Sequence, residues 1–366
     1  MVTSGRSTGS TNSKNLVVFA YAFDPEDMVF SHQYRAILEL TKHFDKVTVI
    51  ANTVDKNIIS SEKLKVWNLR WDKYPFPINA LRLYFFFITT LFSINNLSST
   101  VVFSFMTESH AALIGPITKV LGIRHILWYA HTSLPLRLHL ARMMVDRVVT
   151  STKASVSFTD KKTVYIGQMV EEGMFLTKEE RNYSLSTNWI HIGRIDPSKN
   201  IDFIIQSFLK YQCTQPQSRL TLIGKSTIGF QDYENSLKVK YARQIAKRQI
   251  IFAGKKTQKE ISLNLSISHL FVHAFTGSLD KTLIEAAFSA IPIVTCNTGF
   301  LSEFGSFYAD WRHCGEFEVL FECELDSWLN STSLERESLA QSRRRLAKER
   351  HSFNHWISNL LEQLLE

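Results

Sequence analysis

Short apolar runs alternate with helical patterns along nearly the whole chain. Most of these runs are continuous, which is typical of strands in a parallel sheet that helices cover on both faces. A strand, a helix and a further strand in repetition indicate doubly wound sheets. We therefore predict the α/β class, with two doubly wound, Rossmann-like domains. The predicted strands cover 16–23, 46–52, 64–69, 100–105, 124–130, 147–151 and 163–167 in the first half, and 189–193, 219–224, 249–254, 269–274 and 291–296 in the second.

Several helix boundaries are marked in the same pattern. A helix is predicted over 31–44, and its apolar spine consists of Ile37, Leu38, Leu40 and Phe44. The final segment, 352–366, has the periodicity of an amphipathic helix, which needs a surface to cover. Two residue pairs have the spacing of a capping box and predict helix starts, namely Thr257 with Glu260 and Thr332 with Glu335.

Each half carries enough strands for a sheet of its own, and 366 residues suffice for two domains. Strand character is lost over 168–187, so we place the boundary there. Residues 1–14 are rich in Ser, Thr and Gly and lack the apolar core of a signal peptide, so we interpret them as a disordered lead-in. The predicted domains are 15–168 and 169–345, and a C-terminal helix over 346–366 returns to the first domain.

The longest apolar stretch is 81–94, with the sequence LRLYFFFITTLFSI. It is shorter than the about 20 residues that a membrane-spanning helix needs. Because a predicted strand follows it directly, we interpret it as a buried helix. A helix that docks on a membrane surface is the alternative that the pattern leaves open.

Composition narrows the classes of partner. A hydrophobic fraction of 45% with 21% charged residues describes a globular protein. The net charge of +8 favours an anionic partner, such as a phosphate-bearing ligand or a lipid surface, although a merely basic solvated surface stays open. No basic-aromatic pattern of a nucleic-acid binder is present. The four cysteines form no CxxC pair, which disfavours zinc and a disulfide framework and suits a reducing, cytoplasmic compartment.

The first candidate site follows the predicted strand 189–193. Arg194 comes directly after the strand, Pro197 stiffens the turn, and Lys199 precedes a helix. An Arg fork and a Lys point charge beside free helix N–H groups suit a diphosphate. The sequence contains no D-x-D metal-binding pair, so protein cations would have to neutralise leaving phosphates. Two solvated loop cations are the alternative.

A second loop, within 273–295, has the same order of strand, glycine-containing loop, helix and strand. Glu285 lies early in that predicted helix, where a carboxylate can accept two hydrogen bonds from a vicinal diol. Backbone N–H groups from Lys281 to Leu283 are candidates for binding phosphate. A Glu285 side chain on a solvated helix face is the alternative.

Together these segments resemble the nucleotide-sugar half of the GT-B glycosyltransferases, and specifically the large retaining family 4, the glycosyl transferases group 1 type. The resemblance covers about 190–305 and is carried by Gly193-Arg194 with Lys199, by LIGK (222–225), by FAGKKTQKEI (252–261) and by TGSLDKTLIEAAFSAIPIVT (276–295). The first half resembles the family more weakly, through LWYAHTS (127–133) and 164–175. The resemblance implies the GT-B architecture, in which two Rossmann-like domains face a cleft.

The resemblance also implies roles for individual residues. Arg194 and Lys199 would bind the donor diphosphate, and Glu285 would match the second Glu of the family's E-x7-E element, the ribose ligand. The first Glu of that element falls at Gly277, so Asp280 is the candidate substitute near the donor sugar. The further donor-binding candidates are Gly193, Lys225, Phe252, Gly254, Gly277, Ser278, Lys281, Thr282 and Leu283. The candidate catalytic residues are His131, Arg194, Lys199 and Asp280. Of these His131 lies on the acceptor side, where Glu108 is a second candidate.

The resemblance implies a retaining, metal-independent hexosyltransferase that uses a nucleotide-diphosphate sugar as co-substrate and no cofactor. The expected acceptor is a glycan or a lipid-linked glycan in cell-envelope polysaccharide synthesis. We expect a cytoplasmic protein, and a set of arginines favours a peripheral position on anionic lipid at the inner face of the plasma membrane: Arg82, Arg124, Arg137, Arg142 and Arg147. A catalytically weak GT-B scaffold that binds a glycan or a partner is the alternative. An NAD-linked enzyme is excluded because no G-x-G-x-x-G follows any strand.

Overall fold

The computed structural model describes residues 14–27, 30–175 and 181–366. The predicted lead-in lies outside the described residues, except for Lys14. The chain divides into two compact units. Unit 1 comprises the described residues up to Thr150 together with Val156–Ile166 and Ile357–Glu366, and unit 2 comprises Ser151–Ser155 and Gly167–Trp356.

Unit 1 contains a seven-stranded parallel sheet within the described residues. Its order is β3-β2-β1-β4-β5-β6-β7, so the winding direction reverses between β1 and β4. Leu16 of β1 lies opposite Val47 of β2 and Val101 of β4. The strands are β1 Asn15–Phe23, β2 Lys46–Val54, β3 Leu64–Asn68, β4 Thr100–Phe105, β5 Arg124–Trp128, β6 Arg147–Thr150 and β7 Thr163–Tyr165.

Four helices of unit 1 are α1 Ser31–Leu40, α2 Phe76–Phe92, α3 Glu108–Val120 and α4 Leu136–Met144. The predicted helix over 31–44 ends earlier, at Leu40, and Leu38 of its predicted spine is only partly buried. The predicted buried helix over 81–94 starts earlier, at Phe76, and is buried on one side only. Leu83 and Phe87 are fully buried, whereas Leu81 and Phe85 are 69% and 64% exposed, so the prediction of burial was wrong for the exposed side of this helix.

Unit 2 contains a five-stranded parallel sheet within the described residues, with the order β10-β9-β8-β11-β12. Its winding direction reverses between β8 and β11. The strands are β8 Asn188–Ile192, β9 Arg219–Ile223, β10 Ile250–Gly254, β11 Leu270–His273 and β12 Ile293–Thr295. The helices are α5 Ile201–Gln212, α6 Gln231–Lys240, α7 Ala242–Ala246, α8 Gln258–Ile267, α9 Lys281–Phe288, α10 Thr298–Phe304, α11 Phe317–Asn330 and α12 Ser333–His351. The predicted strands of both halves and both predicted capping boxes are confirmed.

The C-terminal segment is broken where the sequence predicts one continuous helix over 346–366. The helix α12 ends at His351, and α13 Phe353–Leu365 starts after Ser352. The break has a local cause, because Val170 forms a β-bridge with Ser352. The Val170 N–H donates to the His351 carbonyl, and the Val170 carbonyl accepts from the Phe353 N–H. Among the described residues, no helix combines the length and the apolar character that crossing a membrane requires.

Candidate active site

Three strand ends of unit 2 approach one another closely through glycines. The Gly224 N–H donates to the Gly254 carbonyl at 2.9 Å, and the Gly193 N–H donates to the Ile223 carbonyl at 3.0 Å. A Cβ on Gly224 would lie 1.8 Å from the Gly193 carbonyl oxygen, and Gly224 has a φ of +142°. Gly224 therefore excludes any side chain. The loops after β8, β9 and β10 form one continuous edge that contains the predicted residues Gly193, Lys225 and Gly254.

The reversal of winding in unit 2 brings the loop after β8 together with the loop after β11. Lys199 lies in the loop after β8, and Asp280 lies in the loop after β11, the neighbouring strand. Asn200, at a φ of 51°, joins the two loops by donating from Nδ2 to the Ala274 carbonyl at 2.8 Å. In doubly wound sheets, ligands bind beyond the strand carboxyl ends at this kind of reversal. Two residues that the sequence separates by 81 positions thus meet where a ligand is expected.

Lys199 and Asp280 form a buried ion pair. The Nζ of Lys199 lies 2.5 Å from Oδ2 of Asp280, and the two side chains are 6% and 17% exposed. The ammonium also lies 3.6 Å from the centre of the Phe275 ring, which is favourable cation–π geometry. Burial alone would raise the pKa of the Asp280 carboxyl, but the His273 hydrogen bond and the Lys199 charge hold that pKa well below its ordinary value.

The neutral side chain of His273 contacts the Asp280 carboxylate of this ion pair. Burial lowers the pKa of His273, and its Nε2 lies 3.3 Å from Asp280 Oδ2 while its Nδ1 lies 3.2 Å from Thr295 Oγ1. Because a carboxylate only accepts hydrogen bonds, Nε2 of His273 carries the proton and donates a hydrogen bond to Asp280. Asp280 Oδ1 in turn accepts from the Thr282 N–H at 3.4 Å, as the N-cap of α9. Both oxygens of Asp280 therefore have partners within unit 2.

The loop that holds Gly277 is fixed by one amide. Asn297 donates from Nδ2 to the carbonyls of Phe275 and Gly277, each at 3.1 Å, and reaches the Ser278 carbonyl at 3.4 Å. A Cβ on Gly277 would lie 2.2 Å from Cζ of Phe275. The aromatic ring therefore occupies the space into which a side chain at position 277 would project. A side chain at position 277, such as the glutamate that the family resemblance would place there, therefore requires the Phe275 ring to move.

Glu285 is buried in α9 with 3% of its surface exposed. It accepts from Gln258 Nε2 at 2.6 Å, and Lys281 Nζ lies 3.8 Å away. Burial raises the pKa of this carboxyl, and Lys281 opposes the rise. The alternative of a solvated helix face is excluded by this burial. Leu283, by contrast, is a fully buried core residue whose only polar contribution is its backbone.

The remaining donor-side candidates differ in accessibility. The Arg194 side chain is 60% exposed, and its Nε lies 3.4 Å from Oδ2 of the buried Asp196. Lys225 is exposed and Phe252 is half-buried, with Lys238 Nζ 5.5 Å from the centre of its ring. Arg194 thus presents a guanidinium to solvent at the carboxyl end of β8, in the same loop as the buried Lys199.

The acceptor-side candidates lie in unit 1, at the reversal between β1 and β4 and one strand further along. Glu108 begins α3, is 5% exposed, and accepts from Arg137 Nε at 2.6 Å. His131 follows β5 and is exposed, with its ring 5.8 Å from that of Tyr129. Beside Glu108, His110 is buried between Phe19 and Trp71, and burial lowers its pKa to about 3.

Sequence reasoning missed several residues that organise unit 2. Asn200 and Asn297 each tie one loop to another, and Phe275 fills the space beside Gly277. His273 closes β11 under Asp280. Their sequence signal is only that each follows or ends a predicted strand. Within the described residues, no group of three His, Cys, Asp or Glu side chains is arranged to hold a metal ion.

Two doubly wound parallel units with these reversals define the class: the chain has the GT-B fold. Solved GT-B glycosyltransferases are similar to it over nearly their full length. The Anabaena protein HepE, solved with UDP and glucose, has a TM-score of 0.72 at 14% identity and covers 97% of this chain and 100% of its own. Sucrose-phosphate synthase from Thermosynechococcus elongatus has a TM-score of 0.68 at 13% identity and covers 96% and 99%. TarM has a TM-score of 0.67 at 9% identity, and the match covers 96% of this chain and 99% of TarM.

The sequence of unit 2 matches one particular family, whereas the fold is shared by many glycosyltransferases. Residues 178–306 match the family model described as "Glycosyl transferases group 1". That match contains the loops that hold Arg194, Lys199 and Gly277 and the helix α9 that holds Glu285, so the resemblance to this family is confirmed for that segment. No curated protein matches the chain by sequence.

Proposed function

We propose that this protein is a retaining glycosyltransferase that moves a sugar from a nucleotide-diphosphate sugar to an acceptor hydroxyl. One observation carries the proposal: the buried Lys199 of the β8 loop is paired with Asp280, the N-cap of α9, and the buried Glu285 follows within two turns of that helix. This combination offers positive charge for a diphosphate and a carboxylate for a diol. The match to the glycosyl transferases group 1 model over the same segment supports it.

Each residue has a defined task in this proposal. Arg194, exposed at the strand end, binds the diphosphate directly with its planar fork. Lys199 supplies a buried positive charge behind it, and Asp280 positions that ammonium and caps α9. Ser278, Lys281 and the first N–H groups of α9 complete the phosphate site, while Glu285 accepts from the ribose.

The reaction breaks the bond between the anomeric carbon and the leaving diphosphate while the acceptor hydroxyl attacks that carbon. Negative charge grows on the leaving phosphate, and the two cations stabilise it. No carboxylate is available at Gly277, and Asp280 already has partners on both oxygens. We therefore propose attack from the same face, with the leaving phosphate accepting the acceptor's proton. His131 and Glu108 of unit 1 remain our candidates for the acceptor side.

The ligands of a similar structure suggest which base to test first. HepE was solved with UDP, with UDP and glucose, and with UDP-glucose. We propose a uridine nucleotide as donor and a glycan or lipid-linked glycan of the cell envelope as acceptor. We further propose that catalysis takes place at the cytoplasmic side, needs no metal ion and uses no cofactor.

Calorimetric titration with UDP, GDP and ADP, with and without EDTA, tests the donor site. Arg194→Ala should weaken binding of the preferred nucleotide at least about tenfold, because a charge-assisted contact to phosphate is lost. Lys210→Ala is the matched control, because Lys210 is a 71% exposed cation of unit 2 whose partner is Glu322. Equal binding by both variants would place the diphosphate elsewhere, and a loss of binding in EDTA would refute metal independence.

The stereochemistry needs a separate measurement. The anomeric configuration of the product, read by NMR of the transferred sugar, should match that of the donor. An inverted product would refute the same-face mechanism and leave the donor site intact.

A second candidate is a GT-B scaffold that binds a glycan or a protein without catalysis. The observation that favours it is the aromatic ring in the space of the family's first Glu. A folded protein that binds none of the three nucleotides would favour this alternative, and nucleotide binding without any turnover of nucleotide sugars would also do so.

A further inference from the structure

One side of α2 is apolar and exposed. Ile78, Leu81, Phe85, Ile88 and Phe92 follow one another at spacings of three and four residues, so they share one face of the helix. They are 44%, 69%, 64%, 41% and 89% exposed, whereas the opposite side is packed through Leu83 and Phe87. We call these five residues the α2 face. An apolar face of this size on a single helix indicates an interaction surface.

The exposed apolar surface extends beyond α2 within unit 1. Right-handed crossovers from β3 to β4, β4 to β5 and β5 to β6 put α2, α3 and α4 on the same side of the sheet. Tyr84 of α2 bonds the Leu113 carbonyl of α3 at 3.0 Å, and Lys119 of α3 reaches the Met143 carbonyl of α4 at 3.4 Å. This layer exposes further apolar side chains: Val120, Leu121, Leu136, Leu140 and Met143. The exposed apolar surface therefore extends over three helices and is not confined to α2.

The charged residues of this layer are mostly cationic. Between Lys73 and Val145 the sequence contains one acidic residue, Glu108, which is buried and paired with Arg137. The same stretch contains six cationic residues, and those on or beside the helices are Lys73, Arg82, Lys119, Arg137 and Arg142. Arg142 is paired with Asp160, as Arg137 is with Glu108, so Lys73, Arg82 and Lys119 carry the excess positive charge of the layer. A layer with exposed apolar side chains and an excess of cations is complementary to a surface that is itself apolar beneath an anionic boundary.

We propose that the α2 face and the cationic residues around it dock unit 1 on an anionic lipid bilayer. Aromatic and aliphatic side chains of α2 enter the boundary between headgroups and acyl chains, with the helix parallel to the membrane plane. Lys73 precedes the start of α2 and Lys119 lies in the last turn of α3, and both side chains are exposed and can meet anionic headgroups. A second copy of the chain is disfavoured as occupant, because it would bring two surfaces of the same positive sign together.

Vesicle flotation tests the proposal, with phosphatidylcholine vesicles that contain or lack phosphatidylglycerol. The wild-type protein should float with the anionic vesicles. The combined variant Phe85→Glu and Phe92→Glu should partition at least about tenfold more weakly, since it puts charge into the apolar face. The matched control is Ile228→Glu with Val239→Glu, because these side chains of unit 2 are 96% and 77% exposed and lie outside the layer.

The electrostatic part is tested by Lys73→Gln with Lys119→Gln. This variant should lose binding to anionic vesicles and should show a weaker dependence on salt than the wild type. Flotation of the Phe85 and Phe92 variant at the wild-type level would overturn the proposal. Failure of the wild-type protein to bind either vesicle type would also overturn it. A wild-type dimer in sedimentation that the Phe85→Glu and Phe92→Glu variant dissociates would do the same. UDP titration of the same variants should be unchanged, so a failure here is distinct from a failure of the donor site.

Discussion

Removing the ammonium of Lys199 should destabilise unit 2 far more than removing an ordinary surface charge. Lys199→Met keeps much of the side chain's volume and leaves the Asp280 carboxylate buried without a cation. Breaking a buried pair in this way costs about 3–5 kcal/mol, against about 0–1 kcal/mol for an exposed pair. With Asp280 17% exposed and still bonded by His273 and the Thr282 N–H, we expect about 3 kcal/mol.

The partner variant completes a double-mutant cycle. Asp280→Asn retains a residue that can cap α9, so its cost should come mainly from the unpaired Lys199. The combined variant should cost less than the sum of the two single variants by at least about 2 kcal/mol, because neither charge is then left alone. Lys210→Met should change stability by less than about 0.5 kcal/mol, since its pair with Glu322 is exposed.

Urea unfolding followed by tryptophan fluorescence measures these differences, and hydrogen exchange of Leu270–His273 assigns them to unit 2. The pH dependence supplies an internal check. The folded-state pKa of Asp280 is depressed, so its stabilising contribution is present above the unfolded pKa and is lost as pH falls through the folded pKa. In Lys199→Met, protonation instead relieves the unpaired carboxylate, so the gap to wild type should narrow on acidification. A cost below about 1 kcal/mol with no coupling would refute a buried pair.

Three further outcomes are expected. Nucleotide affinity should fall as pH drops through the raised pKa of Glu285, because the protonated carboxyl accepts fewer hydrogen bonds, and calorimetry of Glu285→Gln should lack that component; identical profiles would contradict a ribose contact. Gly277→Glu should lower the melting temperature, since its Cβ would lie 2.2 Å from Phe275 Cζ, and adding Phe275→Ala should restore much of the loss; no rescue would contradict the steric account. Thr332→Ala should cost about 1 kcal/mol in urea unfolding and Thr332→Ser much less, because the hydroxyl caps α12; equal costs would exclude the cap.

The strands of both units could be predicted because continuous apolar runs are what a buried parallel strand requires. The capping boxes could be predicted because Thr257 and Thr332 act through residues three positions away. Local pattern, however, does not show which side of a helix stays uncovered. The helix α2 is apolar nearly all round, so its sequence alone does not distinguish Leu83, which is buried, from Leu81, which is exposed.

The candidate site shows the same limit. The loops were identified from cations and glycines at strand ends, and the resemblance to family 4 assigned their roles. The pairing of Lys199 with Asp280 depends on β8 lying next to β11, a neighbour that is distant in sequence. The break at Ser352 likewise depends on Val170, which the helical periodicity of the C-terminal segment does not contain.

The crowding of Phe275 against Gly277 makes the two positions epistatic. A glutamate at 277 would require the ring at 275 to move or to be replaced, and a smaller residue at 275 would lose the contact to the Lys199 ammonium. Each single change therefore costs stability, which a protein near its stability threshold tolerates poorly. Whether position 277 accepts a side chain thus depends on the residue at 275, and the two positions have to be varied together.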